Sequence, residues 1–104
     1  MKRSDEAQQC VIPSGQANSN AIDTSCMEAL TIYAPGTLTN AITIQTSPDG
    51  TAWFNQQDAG ADLAITVNEA VSITRVSFPF MRIHSAGNEG GARTFRVTGL
   101  GGMA

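Results

Sequence analysis

The sequence is poor in charged residues, histidine and cysteine. Only 14% of its 104 residues are charged, against about a quarter in typical soluble domains, and it holds a single lysine and a single histidine, His84. Nucleophilic catalysis needs a base beside a serine or cysteine, and a structural zinc site needs four ligands. One histidine and two cysteines make both unpromising, so we expect a non-enzymatic protein without a metal or cofactor.

The two cysteines, Cys10 and Cys26, are too few for the disulfide framework of a small secreted protein. We therefore expect free thiols and an intracellular origin. The opening residues MKRSDEAQQ begin like a signal sequence, but no apolar segment follows them, and no apolar run approaches the length of a membrane span. Secretion and membrane binding are both disfavoured.

The sequence also has no sustained helical periodicity, and apolar residues instead recur at every second position. Seven or eight short alternating segments at about ten-residue spacing predict one all-β domain, an antiparallel β-sandwich of jelly-roll-like type. The alternation places nine side chains in its core: Ile42, Ile44, Leu63, Ile65, Val67, Ile73, Ile83, Phe95 and Val97.

Two turns are recognisable from their residue types. Ser47-Pro48-Asp49-Gly50 predicts a hairpin whose returning strand, residues 51–56, carries Trp53. Asn68-Glu69 predicts a second hairpin between the segments 63–67 and 71–73. With one tryptophan and one tyrosine in the chain, burial of Trp53 in a core or interface is favoured over an exposed sugar platform.

Three aspartates in or near turns, Asp49, Asp58 and Asp62, raise the question of a surface calcium ion. Aspartate beside glycine is also what turn geometry selects, and this second interpretation is favoured.

Residues 1–25 differ from the rest, because they are mostly small and polar and only Cys10-Val11-Ile12 has strand character. We interpret them as an N-terminal arm preceding a sandwich domain of residues 26–104. The arm either adds an edge strand or reaches a neighbouring subunit, and its deletion is expected to leave a folded domain. The residues expected to make interface contacts are Lys2, Arg3, Asp5, Glu6, Cys10, Val11 and Ile12.

The charges are segregated along the chain. Residues 4–74 contain eight acids and no base, whereas residues 75–104 contain four arginines and one acid. Such polarity can orient copies of a protein against each other or against a partner. It is too weak for general nucleic-acid binding, so no nucleic acid is expected among the partners.

The segment 42–53, with its strand, Ser-Pro-Asp-Gly turn and Trp53, resembles small virion proteins of phages, as do the later strands 80–85 and 94–98 in the same order. The resemblance covers about residues 29–99 and is to the capsid decoration, or cement, proteins of tailed bacteriophages. It implies a trimeric β-sandwich that binds the outer surface of a capsid, stabilises contacts between major capsid protein subunits and is made in the host bacterial cytoplasm.

Galactose-binding or discoidin-like modules are the alternative resemblance, since they pair an Asp-Gly-x-x-Trp hairpin with a late strand similar to residues 81–83. That resemblance implies a carbohydrate-binding module of a phage tail or receptor-binding protein, and it predicts an exposed aromatic side chain and a free-standing monomer.

Overall fold

The computed structural model describes residues 2–3 and 8–101, and within them every regular element is a β-strand. That part of the chain therefore includes no helix able to cross a membrane. All strand pairings are antiparallel, and the Cα radius of gyration is 12.9 Å, close to the roughly 13 Å of a compact domain this long. The predicted all-β class is confirmed.

The first sheet is built around the long last strand. Its strands are β1 (Lys2–Arg3), β2 (Gln8–Ile12), β4 (Met27–Tyr33), β10 (Ala70–Ile73) and β12 (Arg93–Gly101). One edge of β12 pairs with β4, which in turn pairs with β10. The other edge of β12 pairs with β2 along residues 93–97 and with β1 at residues 100–101. Strands β12 and β4 therefore form the middle of the sheet.

The second sheet is centred on two six-residue strands. Its strands are β3 (Ile22–Asp23), β5 (Ile42–Ser47), β6 (Phe54–Asn55), β9 (Ala64–Ile65) and β11 (Phe80–Ser85). β11 pairs with β5 along its whole length and with β3 on its other edge, while β6 and β9 pair with the outer edge of β5. A separate exposed hairpin consists of β7 (Gln57–Asp58) and β8 (Ala61–Asp62).

Both sheets contribute to one hydrophobic core. Six of the nine predicted core residues are buried, while Leu63 and Ile73 are half-buried and pack against the cluster. The core residues are Cys10, Ile12, Ile22, Leu30, Ile32, Ile42, Ile44, Ile65, Phe78, Met81, Ile83, Phe95 and Val97. Alternation thus locates most of the core, because a strand with one buried face must place every second side chain inward.

The prediction for Val67 is wrong, since its side chain is 43% exposed. Val67 lies in the turn after β9, where Glu69 N donates to Thr66 O and Asn68 has a φ of 60°. The predicted second hairpin is also wrong. Strand β9 pairs with β5 and strand β10 pairs with β4, so the chain passes from the second sheet to the first at this turn.

The N-terminal segment supplies an edge strand of the first sheet, which is the first of the two alternatives expected for the arm. β2 pairs with five residues of β12, and Cys10 and Ile12 are completely buried in the core. The Asn20 side chain borders the strand, accepting from Val11 N at 2.8 Å and donating to Gln9 O at 3.0 Å. Residues 8–12 are therefore part of the first sheet.

Candidate functional site

The outer face of the first sheet is a broad surface with few charges, which we call the Tyr33 face. Its residues alternate with the buried ones along each strand, and pairing sets Arg96 opposite Tyr33 and Leu100 opposite Ala29. The face comprises Val11, Ala29, Thr31, Tyr33, Ser72, Thr94, Arg96, Thr98 and Leu100.

Tyr33 and Leu100 are unusually exposed for large side chains, at 44% and 37%. A shallow groove of about 370 Å³ lies between them, lined also by small residues such as Thr31 and Thr98. Arg96 is the one charged residue in this set. Protein interfaces are enriched in tyrosine and arginine and depleted of other charges at their centre, and this composition matches that pattern.

The outer face of the second sheet carries a different group of side chains, which we call the Trp53 face. It comprises Thr43, Gln45, Trp53, Asn55, Arg82 and His84. Arg82 is directly opposite Gln45 in the β5–β11 pairing, and Gln45 is opposite Asn55 in the β5–β6 pairing.

The Ser-Pro-Asp-Gly turn fixes the chain that leads into Trp53. Ser47 Oγ accepts from Gly50 N at 2.7 Å, and Asp49 Oδ1 accepts from Thr51 N and Ala52 N at 2.8 and 3.0 Å. These two backbone bonds, that from Ala52 first, lower the pKa of Asp49. Gly50 has a φ of 82°, which glycine adopts without the strain of a side chain. The motif thus has a structural role, and Asp49 uses its carboxylate within the turn.

Arg82 is held between an aromatic ring and an amide. Its Cζ lies 4.5 Å from the centroid of the Trp53 ring, and its Nε donates to Gln45 Oε1 at 2.8 Å. Gln45 Nε2 then donates to Asn55 Oδ1 at 3.0 Å, and Asn55 Nδ2 donates to Asp62 Oδ2 at 3.1 Å. Partial burial lowers the pKa of Arg82, which remains charged at neutral pH. The chain of bonds fixes the orientation of the cation and both amides.

His84 extends this face along β11. Its Nδ1 donates to Asn18 Oδ1 at 2.6 Å. Burial, and then the nearby charge of Arg82, lower the pKa of His84, so the imidazole is neutral at pH 7.

Glu89 is a buried carboxylate that joins the loop containing Thr39 and Asn40 to the end of β11 and the start of β12. Its Oε1 accepts from Thr39 N and Arg93 Nε, and its Oε2 accepts from Asn40 N, Asn40 Nδ2 and Ser85 Oγ, all within 2.8–3.1 Å. Burial alone would raise the pKa of Glu89, but these hydrogen bonds outweigh it and hold the pKa at about 2. Because both carboxylate oxygens accept hydrogen bonds within the chain, the role of Glu89 is to stabilise the fold.

The interface residues expected from the sequence are separated by the fold. Lys2 and Arg3 lie in β1 and pair with the end of β12, whereas Asp5 and Glu6 fall outside the described residues. Cys10 and Ile12 are buried within this chain, so their side chains are not presented to a partner.

Val11 is half-buried on the Tyr33 face, where the arm prediction and an outer surface coincide. Sequence reasoning missed Tyr33 and Arg96 as neighbours, because only the register of β4 with β12 brings them together.

The remaining aspartates do not form a shared cation site. Asp62 bonds to Asn55 and Gln57, and residues 8–101 hold no group of three histidine, cysteine or acidic side chains placed to bind a metal ion.

Comparison of the chain with known protein families, curated proteins and solved structures finds no match.

Proposed function

We propose that the two sheets are the layers of a jelly-roll-like β-sandwich. Support comes from the single core to which both sheets contribute and from the crossing between sheets at residues 66–69. The contact between β2 and β11, which belong to different sheets, is consistent with face-to-face packing.

The function that the geometry supports best is that of a virion structural protein that decorates a capsid. In this proposal the Tyr33 face binds major capsid protein subunits on the virion exterior after synthesis in the host bacterial cytoplasm. The observation that carries the proposal is a sheet face on which Tyr33 and Leu100 are exposed and Arg96 is the one charged residue within residues 8–101. At its margin, Arg3 of β1 is paired with Leu100. The resemblance of residues 42–53, 80–85 and 94–98 to phage decoration proteins adds to it.

The size of this face favours several copies acting together. Strands β2, β4, β10 and β12 have 5, 7, 4 and 9 residues. At about 4.8 Å between strands and about 3.4 Å per residue they cover about 400 Å², roughly half of what one partner buries in a standard interface. Linked copies add their contacts, so a homotrimer would bind a capsid far more tightly than one chain. Self-association is therefore part of the proposal.

The test uses capsids assembled without this chain, to which purified protein is added and sedimented. Replacement of Tyr33 by aspartate puts a charge at the centre of the Tyr33 face, where truncating one central residue typically costs about 2 kcal/mol, or roughly thirtyfold in affinity. A matched variant, Thr43→Asp, places the same charge on the opposite sheet and is expected to bind normally.

Both variants should unfold at temperatures close to that of the native protein, because Tyr33 is exposed and Thr43 is only half-buried. Binding of Tyr33→Asp with unchanged affinity would remove the Tyr33 face from the proposal. No binding of the native protein to any capsid would end the decoration proposal itself.

A further inference from the structure

The Trp53 face lies on the opposite side of the core from the Tyr33 face, because the two sheets turn their inner faces toward a shared core. Docking through the Tyr33 face leaves the Trp53 face uncovered. Its side chains are ordered by a rigid turn and by hydrogen bonds that cross three strands. None of these contacts is needed by the proposed docking, so the face is open to a second role.

Arg82 is the central group of this face, and its charge is not neutralised by a neighbouring acid. The one ion pair within residues 8–101 joins Arg93 to Glu89. The Nε of Arg82 donates a hydrogen bond to Gln45, and its two terminal amino groups have no acceptor among residues 8–101. A guanidinium stacked on an indole keeps its in-plane donors available, and the two terminal amino groups suit a carboxylate.

The surrounding groups narrow the class of anion. Trp53 is only partly buried and offers an aromatic surface to apolar C–H groups. Gln45 and Asn55 are held in fixed orientation beside the cation, with Thr43 and a neutral His84 along the same face. Amides and hydroxyls exchange hydrogen bonds with sugar hydroxyls, whereas an acidic peptide side chain supplies a carboxylate and no hydroxyl groups.

We propose that the Trp53 face binds saccharides that carry a carboxylate, such as chains of uronic acid. The carboxylate pairs with the terminal amino groups of Arg82. The sugar ring packs against the exposed part of Trp53, and its hydroxyls bond to Gln45, Asn55 and neighbouring side chains. This activity does not depend on capsid binding, and it uses the opposite side of the molecule.

The experiment uses the purified full-length chain and three ligands of matched length: trigalacturonate, maltotriose and triglutamate. Trp53 is the only tryptophan, so its fluorescence reports directly on this face, and titration calorimetry gives the affinity independently. We expect saturable binding of trigalacturonate and at least tenfold weaker binding of both other ligands.

Arg82→Gln should weaken trigalacturonate binding about tenfold or more by calorimetry, since a charge-assisted pair is lost. Arg96→Gln, on the Tyr33 face, is the matched control and should bind normally. Circular dichroism melting of both variants checks that they fold.

No binding of trigalacturonate by the native chain overturns the proposal. Equal binding of triglutamate assigns the face to acidic polypeptides and overturns the proposal as well. Unchanged affinity of a folded Arg82→Gln variant also overturns it, because Arg82 is the group that pairs with the carboxylate. Capsid sedimentation with the Tyr33→Asp variant tests the other face of the protein, so its result is independent of each of these outcomes.

Discussion

Replacing Glu89 by glutamine is the most informative single change to the fold. The side chain keeps its shape but exchanges one acceptor oxygen for a donor amino group. That group would meet Thr39 N and Arg93 Nε in one orientation, and Asn40 N, Asn40 Nδ2 and Ser85 Oγ in the other. No orientation satisfies all partners, so several buried donors lose their acceptor.

The magnitude follows from the pKa of Glu89, which is about 2 in the folded chain against an ordinary value of 4.5. At about 1.4 kcal/mol per pKa unit, the charged form contributes on the order of 3 kcal/mol to the free energy of unfolding. The side chain has no exposed surface but lies close beneath the protein surface, so screening by solvent makes this an upper value. For a domain of this size the midpoint of thermal unfolding should fall by about 10–20 °C.

The sign of the pH dependence follows from the lowered pKa. The contribution of Glu89 is complete above about pH 5 and is lost as the pH falls from 4.5 toward 2. The native protein should therefore lose stability in this range. The gap between native and Glu89→Gln protein should narrow over the same range.

The assay is thermal and urea unfolding followed by circular dichroism at pH 7, 5, 4 and 3. Glu28→Gln is the matched control, since Glu28 is exposed on β4 and its change should shift stability by less than about 0.5 kcal/mol. If Glu89→Gln were as stable as Glu28→Gln at pH 7, the conclusion that the Glu89 carboxylate stabilises the fold would be refuted.

Three further predictions test the packing. Cys26 should react rapidly with a thiol reagent in the native protein. Burial raises the pKa of Cys10 to about 11, so Cys10 should react only after unfolding. Mass spectrometry measures both rates, and equal rates would contradict the burial of Cys10. Ile65→Ala should cost about 2–5 kcal/mol in urea unfolding and Val67→Ala less than about 1, and similar losses would refute the observed register. Deleting residues 1–12 should abolish cooperative melting because it removes β2, and a stably folded product would restore the arm interpretation.

The turn at Ser47-Pro48-Asp49-Gly50 shows what local chemistry can specify. Its hairpin was predicted, and β6 pairs with β5 as expected. The residues act on their own backbone within a few positions, so the signal is contained in the segment itself. Sequence could not assign Trp53 its partner, since Arg82 reaches it only through the pairing of β5 with β11.

The sequence by itself determined the all-β class and most of the core, because alternation and composition are local properties. Only the tertiary structure decided that residues 8–12 belong to the sheet, that β9 and β10 lie in different sheets, and that Glu89 is buried. Each of these depends on which strand lies beside which. Alternating segments can pair with many partners, and the choice is made when the whole set of apolar faces is buried together.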